Sequence, residues 1–348
     1  MSQDRVAWVD LGKAIGIILV VFGHTWRGLQ GAGLIENQSL YSAIDAAVYL
    51  FHMPLFFLLS GIFFEKSIKK HGVQESFIKR IYSLLFPLVI WSYISATVSY
   101  FTISLTNRSD FSVMDIILYP FPPKDIFWFL WALFLIQTAI APLHKNSNQV
   151  IFSLIVLSSC LACFCSNINI LPFIKPTIMH LPYFLMGVIF SRVKVLRDSP
   201  AMFAIGFFSF FLAELVTLLN YTDTNGALLF LSGFTATLSF CLMLYCITPR
   251  LPKTLGKTLC TLGSYSLSIY LMHIFATASV RILLVRFNIE SLVLHITMAT
   301  AIGLAVPLFI HFSLHKLNIL HYFGLGSKPK KFNPIETAQP LKMAQVNQ

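Results

Sequence analysis

The sequence predicts an all-α, polytopic integral membrane protein with about ten transmembrane helices and with both termini on the cytoplasmic side. Three observations lead there. Of the 348 residues, 56% are apolar and only 11% are charged, and the mean hydropathy is +0.75, a composition suited to lipid as solvent. Ten stretches approach the length of about 20 apolar residues that a bilayer core requires, near 9–28, 45–64, 81–103, 126–143, 150–166, 178–191, 202–219, 226–247, 262–284 and 291–312. With the N-terminus inside, all but six of the 25 Lys and Arg residues then fall on the inner side, as the positive-inside bias demands. The exceptions are Arg27, Arg108, Lys124, Lys175, Arg281 and Arg286. The same bias accounts for the net charge of +11 without any nucleic-acid partner.

The first span, "WVDLGKAIGIILVVFGHTW", carries Asp10, Lys13 and His24 within its apolar run. Those charges, and the nine spans that follow, mark it as a retained helix rather than a signal peptide. Eleven residues are close to three helical turns, so Lys13 and His24 share one face about 16 Å apart. Asp10, three residues before Lys13, joins that face. Lys13 either snorkels to the inner headgroups with Asp10 as partner or faces a wet interior, because an unpaired charge in the bilayer is costly.

The second span, "YLFHMPLFFLLSGIFFEK", places His52 at a depth close to that of His24, with Pro54 loosening the backbone beside it. Ser60 and Gly61 follow towards the inner face, where a small residue permits close helix approach. A dense basic loop comes next, with Lys66, Lys69, Lys70, Lys79 and Arg80. Topology alone produces such a loop, and Arg or Lys at a helix mouth also recognises phosphates.

The loop near 104–125 is the longest between helices and a candidate outer lid. Trp128 and Trp131 open the fourth span in the manner of an interfacial aromatic belt. Cys160, Cys163 and Cys165 lack paired histidines at ligand spacing, so thiols packed as small hydrophobes are expected and no metal site. Glu214 lies within the seventh span, and the ninth, "LGSYSLSIYLMHIF", brings Ser264, Tyr265, Ser266, Tyr270 and His273. The segment 1–323 reads as one membrane domain and 324–348 as a flexible cytoplasmic tail.

His24, His52, His180 and His273 all fall in the outer half, on four different helices. One such histidine has a structural explanation; four suggest a common polar cavity for a hydroxyl substrate and a general base. The inner half offers cations suited to an anionic cofactor.

These residues carry a resemblance. "VDLGKAIGIILVVFGH", "FHMPLFFLLSGIFF", "FIKRIYSLLFPLVIW", "WFLWALF" and "LGSYSLSIYLMHI" occur in that order between residues 8 and about 275, and resemble the motifs of the acyltransferase 3 family of bacterial membrane O-acyltransferases. "FHMP" is similar to the branch of fucose 4-O-acetylases. The resemblance implies transfer of an acyl group, usually acetyl, from acyl-CoA to a sugar hydroxyl of a surface polysaccharide or its lipid-linked precursor, by a multi-pass protein of the bacterial inner membrane. Lys13 and His24 then fill the family's pair of a basic residue, ten residues and a histidine. Arg80 matches its basic residue before the third span, and Trp128 its "WFL" tryptophan. His24, His52, Asp10 and His273 are thereby expected at the reaction centre, and Lys13, Lys79, Arg80, Trp128 and Ser60 at the acetyl-CoA donor. Ser60, Tyr270 and Trp128 match motif positions from which an oxyanion could be stabilised. Larger relatives carry an extracytoplasmic hydrolase-like domain that this sequence does not show.

The competing reading from another class is a transporter or flippase for a small or lipid-linked solute, whose buried histidines relay protons.

Overall fold

The computed structural model describes residues 3–102, 112–166, 168, 170–193, 199–220 and 226–326. They form α1 (Gln3–Gly31), α2 (Gln38–Arg80), α3 (Phe86–Phe101), α4 (Val113–Leu118), α5 (Trp128–Ile140), α6 (Asn148–Ser166), α7 (Lys175–Arg192), α8 (Pro200–Asn220), α9 (Gly226–Ile247), α10 (Lys253–Ser264), α11 (Ser266–Arg286) and α12 (Leu292–Lys316). Among the described residues there is no strand. The protein is an all-α polytopic membrane protein.

Among the described residues, eight continuous helical stretches are long and apolar enough to cross a membrane. One of them, Gln38–Phe101, is 64 residues long and holds both the second and the third expected spans. Gly72 breaks it, with φ of 74° and ψ of 169°, a left-handed backbone that glycine adopts without steric cost. The basic stretch expected as a loop is therefore helical on both sides of Gly72. The short sixth span is α7, with Pro182 inside it. The ninth, expected as one helix from 262, is broken at Tyr265 into α10 and α11.

α1 is the central element and packs on α2, α9, α10, α11 and α12. Val9, Ala14, Ile17 and Val21 are completely enclosed. α2 packs beyond it on α5, α7, α8 and α9. In the most apolar stretch of the Gln38–Phe101 segment 67% of residues are buried, against 17% in α8. α8 turns Phe208, Phe211, Leu212 and Leu219 outward, a surface that lipid tails satisfy as well as protein does.

Helices in lipid associate through packing, so backbone proximity matters. At the crossing of α2 and α7, a Cβ on Gly61 would overlap the Phe184 carbonyl oxygen, and one on Gly187 would overlap that of Leu58. The close approach expected at Gly61 is thus present. A second crossing joins α10 to α1, where a Cβ on Gly263 would overlap the Asp10 carbonyl oxygen.

The α2–α7 crossing is also clamped by charge. Arg192 donates through Nε to Glu65 Oε1 at 2.9 Å and through Nη2 to the same oxygen, while Nη1 reaches the Asn146 carbonyl at 2.8 Å and Asn148 Oδ1 at 2.9 Å. Glu65 is 4% exposed, and a buried pair with these extra hydrogen bonds holds its geometry tightly.

The first part of the expected lid, 104–111, and the expected tail beyond 326 lie outside the described residues. The rest of the lid contains α4, whose Ser112 and Asp115 form a reciprocal capping box. The Ser112 backbone N–H, then the Ser112 hydroxyl, then Lys124 hold the Asp115 carboxyl well below the usual carboxylate range, at about 2.

Candidate active site

Towards the C-terminal end of α1 and the first half of α11, His24 and His273 lie ring to ring with centroids 5.1 Å apart. His273 is fully buried. Its Nδ1 lies 3.1 Å from the Ile269 carbonyl oxygen and 2.8 Å from that of Tyr270. Carbonyls only accept, so Nδ1 carries the proton and Nε2 keeps its lone pair. That Nε2 is buried and has no partner among the described residues.

His52 and His180 repeat this device, with Nδ1 donating to Val48 at 2.5 Å and to Pro176 at 2.8 Å. Each of these three histidines is held by the carbonyl four residues earlier in its own helix, which fixes the tautomer. His24 is the exception: it is partly exposed and lines a cavity of about 120 Å³ with Thr25, Thr277 and Arg281.

Tyr49 caps the histidines. Its ring meets His52 edge-on at 4.6 Å and His24 at 6.4 Å. Gly23 makes the room, since a Cβ there would sit 3.0 Å from the Tyr49 ring and 3.3 Å from its hydroxyl. The hydroxyl is buried without a partner among the described residues. Above the ring, the Arg27 guanidinium carbon lies 3.3 Å from its centroid. Arg27 is fixed there by a two-pronged bond to Asp45, at 2.6 and 2.8 Å, the planar geometry that favours arginine over lysine.

A second, mostly apolar cavity, of about 140 Å³, extends from Lys13 and Ser60 past Leu59, Met53 and Phe129 to Tyr270. Tyr270 is one turn of α11 before His273, with ring centroids 6.3 Å apart. Lys13 pairs with Asp10 at 3.2 Å. Arg80 is buried, donates through Nε to Gln137 at 2.9 Å and lies 5.0 Å over Phe64. Its Nη1 is buried without a partner among the described residues. Arg80 is followed by a π-helical turn, Ile81–Leu85, a form frequent at functional sites.

The structure therefore brings together His24, His273 and His52, and separately Lys13 and Ser60. Asp10 does not join the histidines: fourteen residues of α1 hold it about 21 Å from His24, on Lys13. Lys79 is exposed and pairs with Glu75 at 2.8 Å. The expectation of one cavity shared by four histidines is corrected, because His180 stands on a different wall. It stacks on Phe57 at 4.5 Å and, with Trp128, Asp125 and Lys175, lines an open cleft of about 490 Å³. Trp128 thus faces that cleft and does not line the Lys13 cavity. Ser60 and Tyr270 both commit their hydroxyl protons, to the carbonyls of Phe56 and Ile126 respectively. Tyr49, Asp45 and Arg281 were missed by sequence reasoning; the only signal was their position at the outer ends of spans that carry histidines. Among the described residues no three His, Cys, Asp or Glu side chains converge as metal ligands.

Fold and site together define a polytopic membrane protein with ionisable residues inside the helix bundle. The family profile described as an acyltransferase domain matches residues 6–312, and the chain belongs to the acyltransferase 3 family. It is similar to nodulation protein NolL of Mesorhizobium japonicum, with 24% identity over 191 residues, 55% of this chain and 49% of that protein. It is also similar to nodulation protein NolL of Sinorhizobium fredii, with 27% identity over 198 residues, 55% of this chain and 50% of that protein. The chain spans about half the length of these curated relatives. No solved structure matches it.

Proposed function

We propose that this protein is an inner-membrane O-acyltransferase that moves an acetyl group from acetyl-CoA to a sugar hydroxyl of a surface polysaccharide or its lipid-linked precursor. One observation carries the reading: the cavity that starts at Lys13 ends one helical turn from the His24–His273 pair. A CoA ester is extended, with phosphates at one end and a thioester at the other. Lys13 and Arg80 supply charge for the phosphates, and the apolar walls between suit the pantetheine arm.

At the histidine end, His24 takes the proton of the acceptor hydroxyl as its oxygen attacks the thioester carbonyl. The new C–O bond forms, the C–S bond breaks, and the proton passes from His24 to the departing CoA sulfur. His273, whose ring packs on His24 and whose Nε2 is buried without a partner among the described residues, is the positioning residue for the imidazole that becomes cationic in this step. The unpartnered Tyr49 hydroxyl beside His24 is the donor best placed for the developing oxyanion. The "FHMP" likeness to fucose 4-O-acetylases supports a sugar as acceptor.

The test is acetylation by the full chain in lipid nanodiscs, with acetyl-CoA and glycan from the native host, read by mass spectrometry. Acetyl-CoA consumption matched by glycan O-acetylation, and abolished in His24→Ala, is the expected result. Undiminished transfer by His24→Ala at equal protein level would sink the assignment.

A further inference from the structure

The cavity onto which His24 opens, enclosing about 120 Å³ between α1, α11 and α12, has one charged residue in its lining, Arg281. Among the described residues no carboxylate pairs with that guanidinium. Arg27, by contrast, is paired with Asp45 through two hydrogen bonds. Gly28 determines where Arg281 lies: a Cβ there would overlap Nη1, so the guanidinium rests against α1 one turn beyond His24, about 6 Å along the axis. Thr25, on the same wall, has its hydroxyl buried without a partner among the described residues.

A half-buried arginine at the outer end of its helix, lining a cavity without a counter-charge among the described residues, is a ready ligand for an anion. The cavity has room for several waters and hence for a small oxyanion. No acidic side chain lines it, so nothing there repels a negative group. Arginine's planar fork matches the two oxygens of a phosphate or carboxylate.

We infer that this cavity seats an oxyanion carried by the acceptor, a phosphate or a carboxylate, with Arg281 as its principal ligand and Thr25 as a second donor. The spacing then places the acceptor's charge about one helical turn from the hydroxyl that meets His24. The link to that hydroxyl rests on the proposed transfer; the anion site itself does not.

The experiment uses the full chain in nanodiscs of neutral phosphatidylcholine and titrates farnesyl phosphate, inorganic phosphate and glucuronate, with farnesol and glucose as neutral counterparts. At least one anion binds, and neither neutral counterpart does. Arg281→Gln weakens that binding about tenfold or more, equivalent to about 1.4 kcal/mol, and Arg281→Lys restores most of it because a point charge still attracts the anion. Gly28→Ala, which displaces the guanidinium, weakens binding as well. Binding of both phosphates without glucuronate identifies a lipid-linked phosphate; binding of glucuronate identifies an acidic sugar. Equal anion binding by wild type and Arg281→Gln, or no anion binding by wild type, overturns the inference. Acetyl-CoA binding is measured on the same samples. Its absence in wild type would overturn the proposed transfer and leave the Arg281 result standing.

Discussion

His24 on α1 and His273 on α11 face each other at 5.1 Å between ring centroids, and of the two only His273 has its tautomer fixed by its own helix. The held ring presents a lone pair, and the unheld ring opens on a cavity. If the proton taken up by His24 is shared with the Nε2 lone pair of His273, the two act as a unit. His24→Ala is expected to lower the transfer rate by about a hundredfold or more, the scale of a lost general base. His273→Ala should cost less, and the double variant should fall no further than His24→Ala alone, because residues of one unit are strongly non-additive. Initial rates of the three variants decide this; independent, multiplying losses would show that the histidines do not cooperate.

Tyr49 is joined to both histidines by edge contacts and to Arg27 by a face contact. If its unpartnered hydroxyl meets the oxyanion, Tyr49→Phe removes one donor and leaves the packing in place. The expected loss is about a hundredfold in kcat with little change in KM. A kcat within a few-fold of wild type would move the donor elsewhere.

The sequence showed the helices and the His24 and Lys13 positions because intramembrane charge is conspicuous against an apolar run. Gly61 was legible for the same reason, as a small residue in a row of phenylalanine and leucine. Tyr49, Asp45 and Arg281 were not, since tyrosine and charge at the end of a span are ordinary interfacial residues. Only tertiary packing turns Arg27 onto Asp45 and leaves Arg281 without a carboxylate. Asp10 and Trp128 were grouped with partners by motif, while helix length and the α5–α7 cleft separate them.

The α2–α7 crossing has no room at Gly61. Gly61→Ala places a methyl against a backbone carbonyl, which no rotamer change relieves, and overpacking of this kind costs about 3 kcal/mol or more. The variant should show a lowered melting temperature and reduced yield of monodisperse protein. A fully stable Gly61→Ala would mean that the two helices separate more easily than their packing indicates.

Asp115 gives a pH-dependent prediction outside the membrane. Its carboxyl is held at about 2 by Ser112 and Lys124, below the reference of about 3.9. A depressed folded value stabilises α4 above the unfolded value, and the contribution is lost as the pH falls from about 4 towards 2. Amide hydrogen exchange in Val113–Leu118 should therefore show progressive loss of protection over that interval in wild type, beyond the intrinsic pH dependence, and none specific to it in Asp115→Asn. A carboxyl 13C shift with its midpoint near 3.9 would contradict the assignment.

The donor end separates binding from chemistry. Lys13 lines the apolar cavity, and Arg80 keeps a buried N–H without a partner among the described residues. If both hold the CoA phosphates, they act equally on the bound ester and on the transition state, because the phosphates lie about 16 Å from the reacting carbonyl. Uniform binding of this kind appears in KM and not in kcat. Lys13→Gln and Arg80→Gln should each raise KM for acetyl-CoA by about tenfold, the loss of one charge-assisted contact. Dephospho-CoA esters, which lack one phosphate, should show a smaller penalty from the variant whose partner is gone. Asp10→Asn frees Lys13 from its ion pair and should leave KM unchanged or lower it. A fall in kcat with KM unchanged in Lys13→Gln would place Lys13 in the chemistry and not at the phosphates.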